Sequence, residues 1–272
     1  MKMKTRSGRE RGGRKTPRLG QHFLTNPVVA RSVAEGAGVG PGVATLEIGP
    51  GTGALTRVLL DLGGAVTAIE KDPTLTMRLR ETFAHEIASG ALRLIEGDVR
   101  DANPEALFSG PYVVAANIPY YITGEIIRHF LTARHKPQSM ALLMQKEVAE
   151  RIVARDGKES ILSLSVKAYG TPRILRKVPP GNFSPPPSVD SAVLQISGIT
   201  GDFFRDIAEE RFFGLVKAGF AAKRKLLARN LRSVLPEAEA VFARCAIDAN
   251  ARAEDLSLEE WHAMVRTVTA RD

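Results

Sequence analysis

Residues 43–53, Val43-Ala-Thr-Leu-Glu47-Ile48-Gly49-Pro50-Gly51-Thr52-Gly53, pass from a short apolar, β-branched run into three glycines spaced two apart. An apolar run bounded by glycine reads as a buried strand, and the periodic pattern that resumes at Ala54 reads as a helix. Glycines at such a junction permit a tight turn and let a ligand approach the backbone, while the helix N-terminus attracts negative charge. The same alternation recurs down the chain. Strands are expected at 43–48, 65–69, 92–95, 112–116 and 140–144, and helices at 54–62, 73–88, 123–133 and 146–154. Strand–helix alternation implies an α/β fold with a doubly wound, mostly parallel sheet, which binds ligands outside the carboxyl ends of its strands.

Two later runs, 173–178 and 192–196, flank a proline-rich loop at 179–187 and suit an antiparallel pair closing the sheet. From Asp202 the pattern turns helical, with helices expected at 204–218, 223–235, 237–243 and 258–268. The chain therefore divides into a basic arm (1–18), an α/β unit (19–200) and a small all-helical C-terminal unit (201–272).

The 272 residues are 44% hydrophobic and 25% charged, ordinary values for a folded chain with a core. No apolar run reaches the ~18 residues of a membrane span, so no membrane partner is expected. A lone Cys245 excludes a disulfide framework and a cysteine-built metal site, and fits a reducing, cytoplasmic setting. No metal is expected. No exposed apolar seam stands out, so the chain is expected to be monomeric. The net charge of +8 is unevenly spread: residues 1–18 carry eight basic side chains and one acid, leaving the remainder nearly neutral. Like charge and glycine predict a disordered arm suited to nucleic acid, and it lacks the apolar core of a secretory signal.

The strand ends carry the chemistry. Gly49, Gly51 and Ala54 satisfy a relaxed dinucleotide fingerprint, so the first loop alone does not separate NAD from S-adenosylmethionine. Glu70, about 20 residues on, stands where an acid accepts ribose hydroxyls; Asp72, just before Pro73, suits a helix N-cap. Asp98 ends the third strand, where it serves either as acceptor for an adenine amine or as a plain turn residue. The fourth strand ends in Asn117-Ile118-Pro119-Tyr120. A neutral amide, a backbone stiffened by Pro119 and an aromatic together suit a planar amine. Asn117 and a backbone carbonyl can accept the two N–H bonds, and Tyr120 can stack on the ring. Accepting those hydrogens favours a pyramidal nitrogen whose lone pair attacks a methyl sulfonium in line.

In the C-terminal unit, residues 217–232 hold six basic side chains and no acid. On one helix, Lys225, Arg229 and Arg232 would share a face able to track phosphates, with Leu227, Leu231 and Leu235 packed inward.

Residues Leu19-Gly20-Gln21-His22-Phe23-Leu24, Glu47 to Gly53, Glu70, Asp98, Asn117 to Tyr120, and Asn182-Phe183-Ser184-Pro185-Pro186-Pro187-Ser188-Val189-Asp190-Ser191-Ala192-Val193 fall in the order seen in ribosomal RNA adenine N6,N6-dimethyltransferases. The chain resembles that family from about Leu19 to its end, most closely the members acting on the bacterial small subunit. The resemblance implies a Rossmann-like methyltransferase fold and S-adenosylmethionine as cofactor. It also implies dimethylation of two adjacent adenosines in 16S rRNA, within small-subunit biogenesis. It implies that the segment holding Gln21, His22 and Leu24 closes over the cofactor; His22 stands where the family often has Asn. Gly49 and Gly51 would line the cofactor, Glu70 hold its ribose and Asp98 its adenine amine. Asn117, contacting cofactor as well, would orient the target N6, with Tyr120 and Phe183 sandwiching a flipped base. Lys223, Arg224, Lys225 and Arg229 would meet RNA. One rival, a large-subunit adenine methyltransferase of the antibiotic-resistance type, shares these motifs; another, a non-catalytic rRNA-binding assembly factor, would be marked by degenerate cofactor motifs, and here they are intact.

Overall fold

The computed structural model describes residues 22–269. Seven strands form one sheet: β1 (Ala44–Ile48), β2 (Ala65–Glu70), β3 (Leu92–Glu96), β4 (Val113–Asn117), β5 (Ser139–Gln145), β6 (Thr171–Val178) and β7 (Ser191–Ser197). Their order is β3-β2-β1-β4-β5-β7-β6. The first five are parallel, while β7 runs antiparallel to both β5 and β6. The expected late antiparallel pair is present.

Parallel strands covered by helices on both faces must be apolar on both, which is why β4 and β5 read as unbroken runs. Successive residues then divide between two cores. Val113, Ala115, Ala141 and Leu143 face helices Pro27–Ala37, Ala54–Asp61 and Pro73–Thr82. Val114, Ala116, Met140 and Leu142 face helix Thr123–Thr132 and helix Ile161–Lys167. The second core runs on without a break into Phe212, Leu231, Phe242, Trp261 and Val265 of the C-terminal helices.

Three expected helices are corrected. The 73–88 helix is two, Pro73–Thr82 and Ala84–Ala88, broken at Phe83, whose ring is fully buried beneath Gly53 and Arg57. The 204–218 helix is a 3-10 turn, Asp202–Phe204, then a helix, Glu209–Gly219. The 223–235 helix is a turn at 221–225 followed by Leu227–Leu231 alone. The Asn230 side chain donates to the carbonyls of Gly219 (2.6 Å) and Ala222 (3.0 Å), fixing that turn. Lys225 and Arg229 therefore do not share a helical face, although Lys223, Arg224, Lys225 and Arg229 are all exposed. Helix Pro27–Ala37 is an addition to the expected set. Its Asn26 cap and Pro27 at the first turn are ordinary start signals, followed by buried Val29, Ala30, Val33, Ala34 and Ala37.

Candidate active site

The chain leaves β1 to one side for β2 and returns on the other for β4, which opens a crevice at the carboxyl ends of the strands. In register, Ile48 pairs with both Ile69 and Ala116, and Glu70 with Glu96. The residues just beyond them, Gly49, Gly97 and Asn117, consequently meet at one edge. They line a cavity of about 440 Å³ with His22, Leu24, Gly51, Glu70, Asp98, Pro119, Tyr120 and Phe183. Thus the sequence-read site residues from His22 to Phe183 converge on one pocket. Gln21 and the basic arm at 1–18 lie outside the described residues.

The loop after β1 is shaped for close approach. Gly49 has φ of 64°, and a Cβ built there would touch nothing within 4 Å, so its face is open space. The Glu70 side chain, 5% exposed, is already oriented: one oxygen accepts the Gly51 amide (3.0 Å), the other the Asp72 amide (2.8 Å). Each carboxylate oxygen keeps a second lone pair for a hydroxyl. Asp72 caps helix Pro73–Thr82 through the Thr74 amide, as expected.

Asp98 is more occupied than its sequence position suggests. Oδ1 accepts the Arg100 amide (3.0 Å) and Nε (2.9 Å), and Oδ2 accepts Lys71 Nζ (2.8 Å) and Arg100 Nη2 (2.6 Å). The Arg100 guanidinium, with Lys71, holds its carboxyl far below the usual carboxylate range. Four donors fill its lone pairs, so an adenine amine reaches Asp98 only by displacing one. Lys71, the more exposed partner, is the one that gives way most cheaply.

Asn117 ends β4 with its Nδ2 donating to the His22 carbonyl (3.0 Å). That bond settles the amide's orientation and leaves Oδ1 as the acceptor for the pocket. The Tyr120 hydroxyl bonds Ser191 Oγ (2.7 Å), and its ring lies 6.1 Å from the His22 ring. Phe23–Leu24 pairs antiparallel with Phe183–Ser184, and the Thr25 amide donates to the Asn182 carbonyl (2.9 Å). This ribbon brings the N-terminal segment and the proline-rich loop to the pocket together. Phe183, 5% exposed, is part of the apolar core and also lines the cavity.

Sequence reasoning missed two side chains. Ser191, buried at the start of β7, anchors Tyr120; it stands in the 182–193 motif, but its neighbours in sequence give it no role. Glu47, in the pocket wall, is fully buried. It lies near Thr56, yet neither of its oxygens closes a hydrogen bond of ordinary geometry. Burial, reinforced by the nearby Glu70 charge, pushes its carboxyl up to about 8. Its signal was present: an acid inside a run otherwise apolar.

The pocket fits S-adenosylmethionine. Gly49 leaves backbone space, Glu70 offers lone pairs to a ribose, and the orphaned Glu47 carboxyl suits a ligand bearing cationic groups. Among the described residues no cluster of three or more potential metal ligands occurs, and no helix is long and apolar enough to cross a membrane.

A family model described as ribosomal RNA adenine dimethylase matches residues 12–270. A ribosomal RNA small subunit methyltransferase A of Dehalococcoides mccartyi (strain CBDB1) is 41% identical over 249 residues, covering 89% of this chain and 84% of that one. Its namesake in Moorella thermoacetica is 37% identical over 275 residues, covering 96% and 94%. Among solved structures, the 23S rRNA methyltransferase ErmE superposes with a TM-score of 0.76 at 26% identity, covering 91% of this chain and 99% of that one. A dimethyladenosine transferase from Plasmodium falciparum gives 0.79 at 24% identity, a likeness of fold, covering 92% and 98%.

Proposed function

Because the chain belongs to the ribosomal RNA adenine dimethylase family, we propose that its pocket carries out that chemistry with the residues placed above. The protein is an S-adenosylmethionine-dependent rRNA methyltransferase that dimethylates adenine N6 in 16S rRNA of the small subunit. The observation that carries the residue assignment is the Asn117 amide in the cavity wall, locked through Nδ2 by the His22 carbonyl so that Oδ1 is left as its acceptor.

Bound S-adenosylmethionine supplies an electrophilic methyl on a sulfonium. Gly49 and Gly51 give it backbone room, Glu70 accepts its ribose hydroxyls, and Asp98 takes its adenine amine once Lys71 yields. His22 and Leu24, stitched to the 183–184 strand, close the pocket against water. The target adenine is flipped from its helix, because its amine is otherwise stacked or paired. Tyr120 and Phe183 hold its two faces. Asn117 Oδ1 and a backbone carbonyl of the Asn117-Ile118-Pro119 segment accept the N6 hydrogens, which localises the nitrogen lone pair for in-line attack. That lone pair would take the methyl of bound S-adenosylmethionine with the thioether as leaving group, and the amine would lose its proton once the pocket reopens. No strong base is needed. The singly methylated amine re-enters with its remaining hydrogen accepted by Asn117 for a second transfer.

The reaction belongs where ribosomal subunits are assembled, the cytoplasm, and we take the working form as a monomer of two units, 19–200 and 201–272. The large-subunit reading draws on ErmE, whereas the relatives at 37–41% identity carry small-subunit names. Labelled methyl is expected to enter undermethylated small subunits and not large ones; the reverse pattern would overturn the assignment.

Lys223, Arg224 and Lys225, with Arg229 nearby, take RNA phosphates, since no described acid pairs with them. Replacing Lys223, Arg224 and Lys225 with alanine is expected to lower the slope of log affinity against log salt by about 2–3, at roughly 0.7–0.9 per phosphate contact. Filter binding to small subunits across a salt series reads this directly, and an unaltered slope would remove the loop from the interface.

A further inference from the structure

Tyr121 is 78% exposed, the most exposed large apolar side chain among the described residues; every other Phe, Tyr or Trp among them is at least half-buried. It nevertheless sits on the pocket rim, one residue beyond the proposed base platform Tyr120. Its backbone is firmly held. Tyr120 is tied to Ser191, the Ile122 amide bonds the Pro119 carbonyl (3.2 Å), Ile122 packs on the core, and Thr123 is buried. The ring itself makes no hydrogen bond or ring contact with a described residue. A rigid turn thus presents an unpaired aromatic to solvent at the mouth of the cavity. Cations share that rim: Lys71 and Arg100 line the same pocket, and Arg100 also reaches Glu125 (3.6 Å) in the first turn after Tyr121.

Exposed aromatics set among cations form the stacking platforms of single-stranded nucleic-acid sites. Flipping one base into a pocket strips its neighbour of a stacking face, and that neighbour must remain close to the entrance. Consecutive Cα atoms lie about 3.8 Å apart, so adjacent side chains of a turn can serve adjacent nucleotides. We propose that Tyr121 stacks on the nucleobase flanking the one held by Tyr120 and Phe183, so that consecutive tyrosines serve consecutive nucleotides. This inference rests on the assignment of Tyr120 as the target-base platform. It adds a second subsite, tolerant of base identity, that holds the next nucleotide of the strand while the first is methylated.

The test compares Tyr121→Ala and Tyr121→Phe with wild type in filter binding to undermethylated small subunits, alongside calorimetry with S-adenosylmethionine. Stacking predicts roughly tenfold weaker subunit binding for the alanine variant, near-wild-type binding for phenylalanine, and unchanged cofactor affinity. It also predicts an unchanged salt slope, because a base stack neutralises no phosphate. Wild-type binding by Tyr121→Ala, equal loss in Tyr121→Phe, or a parallel loss of cofactor affinity would each overturn the subsite. Binding is read without methyl transfer: a wild type that binds subunits but transfers no methyl defeats the proposed function, while the Ala/Phe comparison still decides Tyr121. A wild type that does not bind small subunits overturns both.

Discussion

Replacing Asn117 with alanine is expected to lower kcat for methyl transfer by about 10²–10³-fold, the range for removing one preorganised electrostatic partner of a transition state. Cofactor affinity should fall less than turnover: the Nδ2 bond to the His22 carbonyl is lost, but Glu70 and the β1 loop remain in place. The side chain has two duties, since Nδ2 holds the His22 carbonyl and leaves Oδ1 to accept. Asn117→Asp separates them. A carboxylate still accepts the amine hydrogens but no longer donates to His22, so the lid segment loosens and cofactor retention suffers. Tyr120→Ala removes the stacking face and should also abolish most turnover, whereas Tyr120→Phe loses only the bond to Ser191. A neutral hydrogen bond is worth about 1 kcal/mol, so the phenylalanine variant should slow several-fold at most. Single-turnover transfer of labelled methyl, with cofactor binding measured separately, distinguishes these cases. Full turnover by Asn117→Ala would remove this residue from the chemistry.

The strand ends could be read because burial on both faces leaves a distinctive trace. Apolar runs at 112–116 and 140–144 lie within a residue or two of β4 and β5, and the polar terminator of β4, Asn117, lines the pocket. A parallel sheet puts all such terminators at one edge, so Gly49, Glu70, Asp98 and Asn117 had to converge. Contacts across long stretches of chain left no trace. Ser191 reaches Tyr120 from 71 residues away, and Asn182 fastens the segment at Thr25 and Asn26 from more than 150. The expected 223–235 helix failed for a tertiary reason. The Asn230 side chain takes the carbonyls of Gly219 and Ala222, and the Ala251 carbonyl accepts the Leu227 amide. These bonds compete with helix continuation, and periodicity does not register them. Asp98 shows a subtler gap: its position was legible, but its saturation by Lys71 and Arg100 depends on side-chain reach.

Glu47 should make the empty protein lose stability as pH rises through neutrality, and Glu47→Gln should abolish that loss. Its carboxyl titrates near 4.5 when unfolded and near 8 when buried in the pocket wall. Below pH 4.5 both states are protonated and the group is indifferent. Between the two values the unfolded chain releases the proton while the folded one retains it, so ionisation favours unfolding. Above 8 both are ionised and the penalty stays constant. Each tenfold change in proton affinity is worth about 1.4 kcal/mol, so the window from 4.5 to 8 amounts to roughly 3–5 kcal/mol, a large share of a typical domain's stability. Asp98 and Asp255 have lowered values and act with opposite sign only below about 3.8, outside this window. Glutamine preserves the shape without an ionisable proton, so urea unfolding of the variant should stay nearly flat from pH 5 to 8 where wild type declines. Parallel curves for the two proteins would show that Glu47 does not carry the pH dependence. A fold that tolerates this loss to keep an unpaired acid beside Gly49 gains no stability from it; its location in the cavity wall ties it to the cationic ligand the pocket is shaped to take.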